Sequence, residues 1–464
     1  MISLKNIKNQ KLNMKNLVEA LFFTLPLSFI IGNLILSAHL FVFIVFSLFL
    51  IKKHGFTYKF NKVDILLIIF ILYLFVSTLI QFPNIFDTWV EIKNLKIESL
   101  PLENHPIFKS FLIIRFLILI IILNILVLHK IIDIKKIFYF SLICTSFVSL
   151  DVIIQYILGY DIFGYSPITP ERYSGPFGDE TIAGSFIQRF SFISFFGIYI
   201  LNFKNKNLNQ FFLFFSIILC STAILLSGNR MPMILFLLGC FVILFFIKNF
   251  RLVMTLSLIV FSILFFSITS NNESVRTHYS SLLIQINILD HIKKARTTTK
   301  IEIKKEDNSP KKTKSNLLSG GYRSLYETSL EIWKDKPLFG YGLKSFRFKC
   351  WEILSKEKNP RLSCGNHSHN YYLEILVEGG IIGIILIIGI FIIIIKDSIL
   401  YLKKNYNKLN SDLYLFAPIL LTFFLEIWPI KSTGSFFTNW NATFLWLIVA
   451  LITATIYKGK IKFK

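Results

Sequence analysis

The sequence predicts an all-α protein: a polytopic transmembrane helical bundle of about twelve spans, with one large external loop between the ninth and tenth spans. Hydrophobic residues make up 54% of the 464 positions, and 50 residues are phenylalanine, which is too apolar for a soluble domain of this length. Runs such as 381–395 carry no charge, and about 20 apolar residues cross a hydrocarbon core of about 30 Å. Charged residues gather in the connections between such runs, as in multi-pass membrane proteins.

Each apolar run is expected to form a helix, because a backbone in lipid must satisfy its own hydrogen bonds. The first two runs are close enough to form a hairpin. Residues 1–269 are expected to hold spans one to nine, 270–370 the large loop with short helices, and 371–464 the last three spans and a tail. The spans are expected at 17–32, 34–51, 63–81, 110–128, 137–158, 183–201, 209–227, 231–247, 252–269, 371–395, 413–430 and 436–457.

Lysine-rich connections alternate with connections that carry little net positive charge. This positive-inside pattern predicts that both termini are cytoplasmic and that the large loop lies on the opposite side. The net charge of +23 follows the same alternation, so we exclude nucleic acid as a partner and expect anionic membrane lipids instead. No small-residue cleavage site follows the first apolar run, which predicts a retained span rather than a cleaved signal peptide.

The large loop has a charged part and a part with helical patterning. Residues 291–316 are rich in charge and poor in apolar side chains, so we expect no packed structure there. Leu325, Ser329, Ile332 and Trp333 then fit a short amphipathic helix. Pro337 ends this helix, and the glycines of "FGYG" predict a turn.

Two cysteines, Cys350 and Cys364, lie in the polar part of the loop. In an oxidising compartment they are able to form a disulfide, and their spacing is equally compatible with unpaired thiols. The other three fall in apolar runs and are expected to be buried: Cys144, Cys220 and Cys240.

Three arginines are candidates on the external side, because charges at membrane depth are costly and usually mark a function. Arg230 closes "LLSGNR" and begins the next run, where it either extends to the interface or clamps an anion through two hydrogen bonds. Arg172 lies in "PERYSGPFGDE", and Arg323 precedes the amphipathic helix. Each of these two is either a solvated charge or a further anion contact.

His369 is the strongest candidate for a catalytic residue. It directly precedes the predicted tenth span, where the helix dipole disfavours a cationic imidazole and so keeps a neutral base. The alternative is a polar cap at the lipid interface. Asn370 is a suitable helix cap and a candidate substrate contact. His367 adds a second imidazole, but no further ligand cluster accompanies the two histidines, so no metal is expected.

Two acids follow on the same helix. Glu374 and Glu378 are four residues apart and share a face, which indicates a polar lumen and makes Glu378 a candidate substrate contact. Gly379 and Gly383 form a GxxxG pattern typical of close helix packing. The sequence contains no Walker-type glycine loop, Asp-x-Asp pair or GxSxG motif, so no cofactor is expected.

Together these motifs resemble those of the O-antigen ligase and O-antigen polymerase superfamily of bacterial envelope glycosyltransferases. The ligase pattern is His, then Asn, Ser or Gln, nine residues, Gly, two residues, and Gly, Thr or Tyr. Here it reads His369, Asn370, "YYLEILVEG", Gly380, "II" and Gly383. "LLSGNR" is similar to the superfamily's Ser-x-x-Arg turn, "PLFGYG" to its Pro-Leu-x-Gly-x-Gly segment, and "RYSGPFGDETIAGSF" to its arginine-containing loop.

The resemblance implies transfer of a glycan from an undecaprenyl diphosphate carrier to an acceptor hydroxyl on the periplasmic face of the inner membrane. It implies an inverting reaction without metal or nucleotide, and it favours lipid A core as the acceptor. The basic segment 293–314 departs from the usual loop and is either a contact for acidic glycan or lipid phosphate, or an insertion. The implied catalytic residues are His369, Arg230 and Arg323, and the implied substrate contacts are Arg172, His367, Asn370 and Glu378.

Other functions stay open on the sequence alone. Polymerisation of repeat units and O-oligosaccharyl transfer to protein use the same chemistry, although the His-Asn pattern favours ligation. A secondary transporter of small anions, from a different class, is compatible with many spans and with arginines at the membrane boundary. The long external loop and the lack of an internal repeat argue against a transporter.

Overall fold

The computed structural model describes residues 13–93, 105–201, 205–285, 322–356, 362–405 and 411–458. Within these ranges the chain is all-α, with helices joined by turns and no β-strand. The basic segment 293–314 lies outside the described residues. The helices, numbered here in chain order, are α1 Met14–Phe23, α2 Leu25–Ile31, α3 Asn33–His54, α4 Lys62–Lys93, α5 Pro106–Leu112, α6 Ile114–Leu128, α7 Lys135–Leu158, α8 Ala183–Leu201, α9 Lys206–Leu226, α10 Arg230–Phe246, α11 Arg251–Asn271, α12 Glu273–Gln285, α13 Arg323–Asp335, α14 Phe346–Lys356, α15 Tyr371–Asn405, α16 Ser411–Glu426 and α17 Asn439–Lys458.

The number of spans is lower than the sequence predicts. Nine helices of the described ranges are long and apolar enough to cross a membrane, or ten if α1 and α2, which are bent by 51°, form one span. The predicted count of about twelve is therefore not confirmed. α10 and the apolar part of α16, Tyr414–Glu426, are shorter than the other spans. Hydropathy identifies apolar residues but does not identify where a helix ends. The first predicted span is therefore broken near Pro26, which has no N–H to continue the helix.

α17 lies at the centre of the bundle, and nearly all of its side chains are buried. Its Trp440 and Phe444 pack edge-on against Phe29 of α2, and Phe190 of α8 completes a cluster with ring centroids 5.1 to 6.2 Å apart. Such edge-to-face arrangements are the favoured geometry of aromatic rings. The cluster fixes α8 against α17, and both helices contribute polar side chains to the site described below.

α15 is broken at Gly380, whose backbone (φ 61°, ψ −164°) is accessible mainly to glycine. Residues 337–342, "PLFGYG", lie in the break, and we call them the strap. The carbonyls of Pro337 and Leu338 accept hydrogen bonds from the two N–H groups that follow the break, at 2.9 and 3.3 Å. A Cβ at Gly380 would lie 2.3 Å from the Leu338 carbonyl oxygen. Glycine is therefore required both for the backbone conformation and for the approach of the strap.

The described part of the large loop packs on this end of the bundle. The predicted amphipathic helix is confirmed as α13, in which Leu325, Ser329 and Ile332 are buried. A disulfide joins Cys350 of α14 to Cys364, with the Cα atoms 5.3 Å apart. It ties α14 to the turn 365–370, which leads into α15.

Candidate active site

The predicted site residues lie around three connections that approach one another. These are the turn 227–230 between α9 and α10, the turn 365–370 before α15, and the connection 427–438 between α16 and α17. The sequence analysis assigns no site residue to the third connection. It nevertheless supplies several of the contacts that hold the turn 365–370.

Gly228 and Asn229 shape the first turn. Gly228 has φ 64°, and a Cβ there would lie 2.8 Å from the Arg172 side chain, so glycine allows the loop 159–182 to approach. The Asn229 side chain accepts a hydrogen bond from the Gly184 N–H at 3.1 Å, which joins the turn to the start of α8. The "SGNR" sequence thus brings Arg172 next to the beginning of α10.

Arg172 and Arg230 are neighbours at this turn, and we call them the rim pair. Arg230 donates a hydrogen bond to the carbonyl of His278 at 2.5 Å, and the His278 ring contacts the Gly228 carbonyl at 2.8 Å. Burial, and then the charges of the rim pair, lower the pKa of His278. The two guanidinium groups interact unfavourably with each other, so an anion bound between them would stabilise the pair.

His369 has φ 55°, a left-handed conformation uncommon for a residue with a side chain. Its carbonyl accepts the Thr433 N–H at 2.9 Å, and the Thr433 backbone lies close to its ring. The rings of Tyr322 and His367 lie 4.6 and 4.0 Å from the His369 ring. Burial, and then the neighbouring His367, lower the pKa of His369 to about 4. The imidazole is therefore neutral at pH 7 and held in place, as a general base requires.

His367 shares this environment. Burial, and then the charges of Lys344 and Arg347, lower its pKa to about 4. Its Nε2 is buried and has no hydrogen-bond partner among the residues that the structure describes. Its role as a substrate contact stays a prediction.

Asn370 is the N-cap of α15. Its Oδ1 accepts the N–H groups of Tyr372 and Leu373 at 3.0 and 3.1 Å, and its Nδ2 donates to the Pro429 carbonyl at 2.8 Å. Both ends of the amide are therefore engaged in holding the helix start against the connection 427–438. A contact with substrate, which the sequence predicts for Asn370, would require one of these bonds to open.

Glu374 and Glu378 face the protein interior. Glu374 accepts hydrogen bonds from the Ser435 hydroxyl at 2.5 Å and from the Phe436 N–H at 2.6 Å, which fixes the connection 427–438 against α15. Glu378 lies one turn deeper and is only 1% exposed. Its Oε2 has no partner within the described ranges. Its predicted role as a substrate contact is untested by this geometry.

Arg323 is the first residue of α13, and its Nε donates to Glu327 one turn later at 2.7 Å. The preceding residue, Tyr322, packs on His369 and is close enough to Arg230 to interact with its charge. The start of α13 thus lies near both His369 and the rim pair. The Arg323 guanidinium itself is paired with an acid, and a phosphate would have to compete with Glu327 for it.

The sequence analysis misses a second charged group, formed by Arg189 of α8, Glu426 of α16 and Lys431. We call these three residues the buried ion cluster. Arg189 donates to both Glu426 oxygens at 2.9 and 2.6 Å, and Lys431 donates to the same carboxylate at 2.7 Å. Tyr371 also donates to Glu426, at 2.7 Å, and Asn441 accepts from Arg189 at 2.9 Å. The sequence signal that could have identified this cluster is Arg189, an ionisable residue inside the apolar run "SFIQRFSF".

Residues 215–388 match the model of a protein family described as O-antigen ligase. The matched region contains Arg230, Arg323 and His369 and ends before Glu426. A protein of Haemophilus influenzae described as an uncharacterized protein is 30% identical over 125 residues, which cover 25% of this chain and 30% of that protein. The family match agrees with the motifs recognised in the sequence. With the many apolar helices, it supports a membrane glycosyltransferase of the O-antigen ligase and polymerase type.

Proposed function

We propose that this member of the O-antigen ligase superfamily transfers a glycan from an undecaprenyl diphosphate carrier to a hydroxyl of lipid A core. We place the reaction at the periplasmic face of the inner membrane, with both termini in the cytoplasm, because the lysine-rich connections alternate along the chain. Carrier, acceptor and membrane side are parts of this proposal that go beyond the family match.

The observation that carries the proposal is the environment of His369. Its ring is neutral, because burial lowers its pKa to about 4, and the Thr433 backbone lies near one ring nitrogen. The other nitrogen is then able to take the proton of the acceptor hydroxyl. The acceptor oxygen bonds to the anomeric carbon while the bond to the carrier breaks, and the diphosphate leaves with that electron pair. A single displacement of this kind inverts the anomeric centre.

Positive charge near the departing diphosphate is the second requirement, because negative charge develops there in the transition state. We assign this role to the rim pair, Arg172 and Arg230, whose mutual repulsion an anion would relieve. Arg323 would join them if the phosphate displaces Glu327. The carrier diphosphate already activates the sugar, so the proposed reaction uses no nucleotide, and the arginines take the place of a metal.

His369→Ala tests the base directly. Purified full-length protein in lipid nanodiscs, given a polyprenyl diphosphate glycan and lipid A core, is expected to form ligated product. We expect His369→Ala to lower the rate at least about 100-fold, because general base catalysis contributes roughly 10²–10⁴. His54→Ala changes an exposed histidine at the end of α3 and is the matched control. Near-full turnover by His369→Ala would exclude the assignment.

The products separate the proposed reaction from its alternatives. In cells, loss of a ligase leaves lipid-linked polymer unattached, whereas loss of a polymerase leaves single repeat units on the core. Glycan recovered on protein would indicate O-oligosaccharyl transfer. Uptake of small anions by proteoliposomes without any glycan transfer would indicate a transporter.

A further inference from the structure

A cavity of about 240 Å³ lies beside the buried ion cluster, between α8, the first turn of α10, the connection 427–438 and the first turn of α17. Thr433 lines this cavity, and its N–H donates a hydrogen bond to the His369 carbonyl at 2.9 Å. The cavity therefore adjoins the proposed base. Its volume is below the roughly 300–1,000 Å³ of pockets for drug-sized ligands, which suits a single sugar ring or a phosphate group.

Gln188 of α8 provides the first indication of a ligand. Its side chain lines the cavity and is only 2% exposed. The amide has no hydrogen-bond partner among the described residues, where only its backbone carbonyl accepts a bond, from Ser191. The amide is reachable from the cavity, so a polar group bound there is able to pair with it.

The charge of the cavity provides the second indication. Arg189 and Lys431 both line it, and both are paired with one buried carboxylate, Glu426, which leaves one positive charge in excess. Glu180 is also at the cavity, but its side chain is exposed to solvent. Burial lowers the pKa of Lys431 to about 8, so its ammonium group is still charged at pH 7. A surplus buried charge is costly without a counter-ion.

We infer that this cavity binds one anionic oxygen group, a phosphate or a carboxylate, of a glycan substrate, with Lys431 and Gln188 as its contacts. The inference rests on the proposed function and extends it, because it adds an anion subsite beside His369 that is distinct from the rim pair. Two substrate parts carry this chemistry: the diphosphate of the carrier, and an acidic or phosphorylated sugar.

Calorimetry with full-length protein in nanodiscs tests the inference, with glucose 6-phosphate, glucose and inorganic pyrophosphate as the probes. A charged sugar as the ligand predicts that glucose 6-phosphate binds and glucose does not. The carrier diphosphate as the ligand predicts that pyrophosphate binds in its place. For the probe that binds, Lys431→Met and Gln188→Glu should each raise the Kd at least about tenfold, because a charge-assisted contact is lost or an anion is repelled.

The two variants complement each other. Lys431→Met keeps the pair of Arg189 and Glu426, and Gln188→Glu keeps the shape of the side chain, so the test does not depend on one variant folding. Lys349→Met is the matched control, because Lys349 is a buried lysine paired with Glu352 away from the cavity lining. It should bind the probes like the unaltered protein.

The inference is overturned if neither anionic probe binds, or if both cavity variants bind as tightly as the unaltered protein. His369→Ala separates this result from the proposed function: it should lose glycan transfer and still bind the probe. If the unaltered protein transfers no glycan, the proposed function fails, and binding that depends on Lys431 remains measurable without it.

Discussion

The rim pair and the buried ion cluster both place positive charge near His369, but they differ in what balances that charge. In the buried ion cluster, Arg189 and Lys431 share Glu426, and all three side chains lie almost entirely inside the protein. In the rim pair, Arg172 and Arg230 are neighbours of each other, and Arg230 donates to a backbone carbonyl. Glu426 offsets one of the two buried cations and so stabilises the fold, which leaves one positive charge for the anion inferred at the cavity. The charges of the rim pair are suited to the diphosphate of the carrier.

This difference indicates a division of roles around His369. Lys431 and Thr433 belong to the same connection, so the buried ion cluster anchors the segment that orients the His369 ring. Tyr322 packs on the His369 ring and is also close to Arg230, a member of the rim pair. Within the buried ion cluster, the pair of Arg189 and Glu426 should therefore matter first for stability, and the rim pair should matter first for transfer.

Glu426→Gln should have the largest effect on stability. It leaves Arg189 and Lys431 buried without a counter-ion, and removal of one partner of a buried ion pair costs roughly 3–5 kcal/mol. Thermal unfolding in detergent, followed by the loss of helical signal, measures the change. Glu327→Gln is the matched control: it breaks the half-exposed pair with Arg323 and should change stability by less than about 1 kcal/mol. Equal losses in the two variants would remove the distinction between buried and exposed charge.

Arg230→Ala should show the opposite behaviour, with near-normal stability and slow transfer. Loss of one group that stabilises transition-state charge typically lowers kcat about 10²–10³-fold. Arg230→Lys should recover only part of the rate, because an ammonium group cannot form the two parallel hydrogen bonds of a guanidinium. Arg251→Ala, which also removes an arginine bonded to backbone carbonyls, should transfer normally. Full transfer by Arg230→Ala would exclude the rim pair from the mechanism.

The sequence predicts the residues around His369 better than it predicts the buried ion cluster, for a physical reason. Arg230, Arg323 and His369 lie within short motifs, so a local pattern identifies them. The salt bridge between Arg189 and Glu426 joins residues 237 positions apart, and no local pattern reports such a partner. Arg189 is visible as a charge in an apolar run, but its counter-ion depends on how α8 and α16 pack.

The helices are predicted in the same uneven way. The apolar runs locate most of the spans and the amphipathic helix α13, because hydropathy and periodicity are local properties. The break in α15 is not predicted: the GxxxG pattern draws attention to Gly379 and Gly383, whereas Gly380 between them admits the strap. That break requires a contact between the large loop and a span, which the sequence does not reveal.

Gly380→Ala should disturb the strap and the surroundings of His369, and it should leave the buried ion cluster intact. The residue would have to adopt φ 61° with its Cβ 2.3 Å from the Leu338 carbonyl, and such strain costs about 1–3 kcal/mol. Because the strap follows α13, which begins beside His369, transfer should fall together with stability. Gly389→Ala lies in the same helix with nothing within 4 Å of its Cβ and should be neutral or slightly stabilising. Equal behaviour of the two variants, in unfolding and transfer assays, would mean that the strap does not need the break.

The pH dependence of transfer should show the smallest effect in the unaltered protein. With a pKa of about 4, His369 stays neutral as the pH falls from 7 to 5.5. We therefore expect kcat/KM to change less than about twofold, whereas a histidine with a pKa of about 6.5 would lose about tenfold. Glu426→Gln, which loosens the connection holding His369, should move the acid limb of this profile toward pH 6.5. An acid limb already near pH 6.5 in the unaltered protein would contradict a buried base.

Stability should depend on pH with a matching sign. The pKa values of His367 and His369 are about 4 in the folded protein and about 6.5 in the unfolded chain. Between these values the unfolded chain binds more protons, so this contribution to stability is complete above about pH 6.5 and decreases as the pH falls toward 4. Replacing both histidines with glutamine should make the unfolding temperature less dependent on pH over that range, and Arg251→Ala should leave the slope unchanged. A slope of the same sign that survives the double replacement unchanged would assign the effect to other groups, such as His278, instead of the two imidazoles.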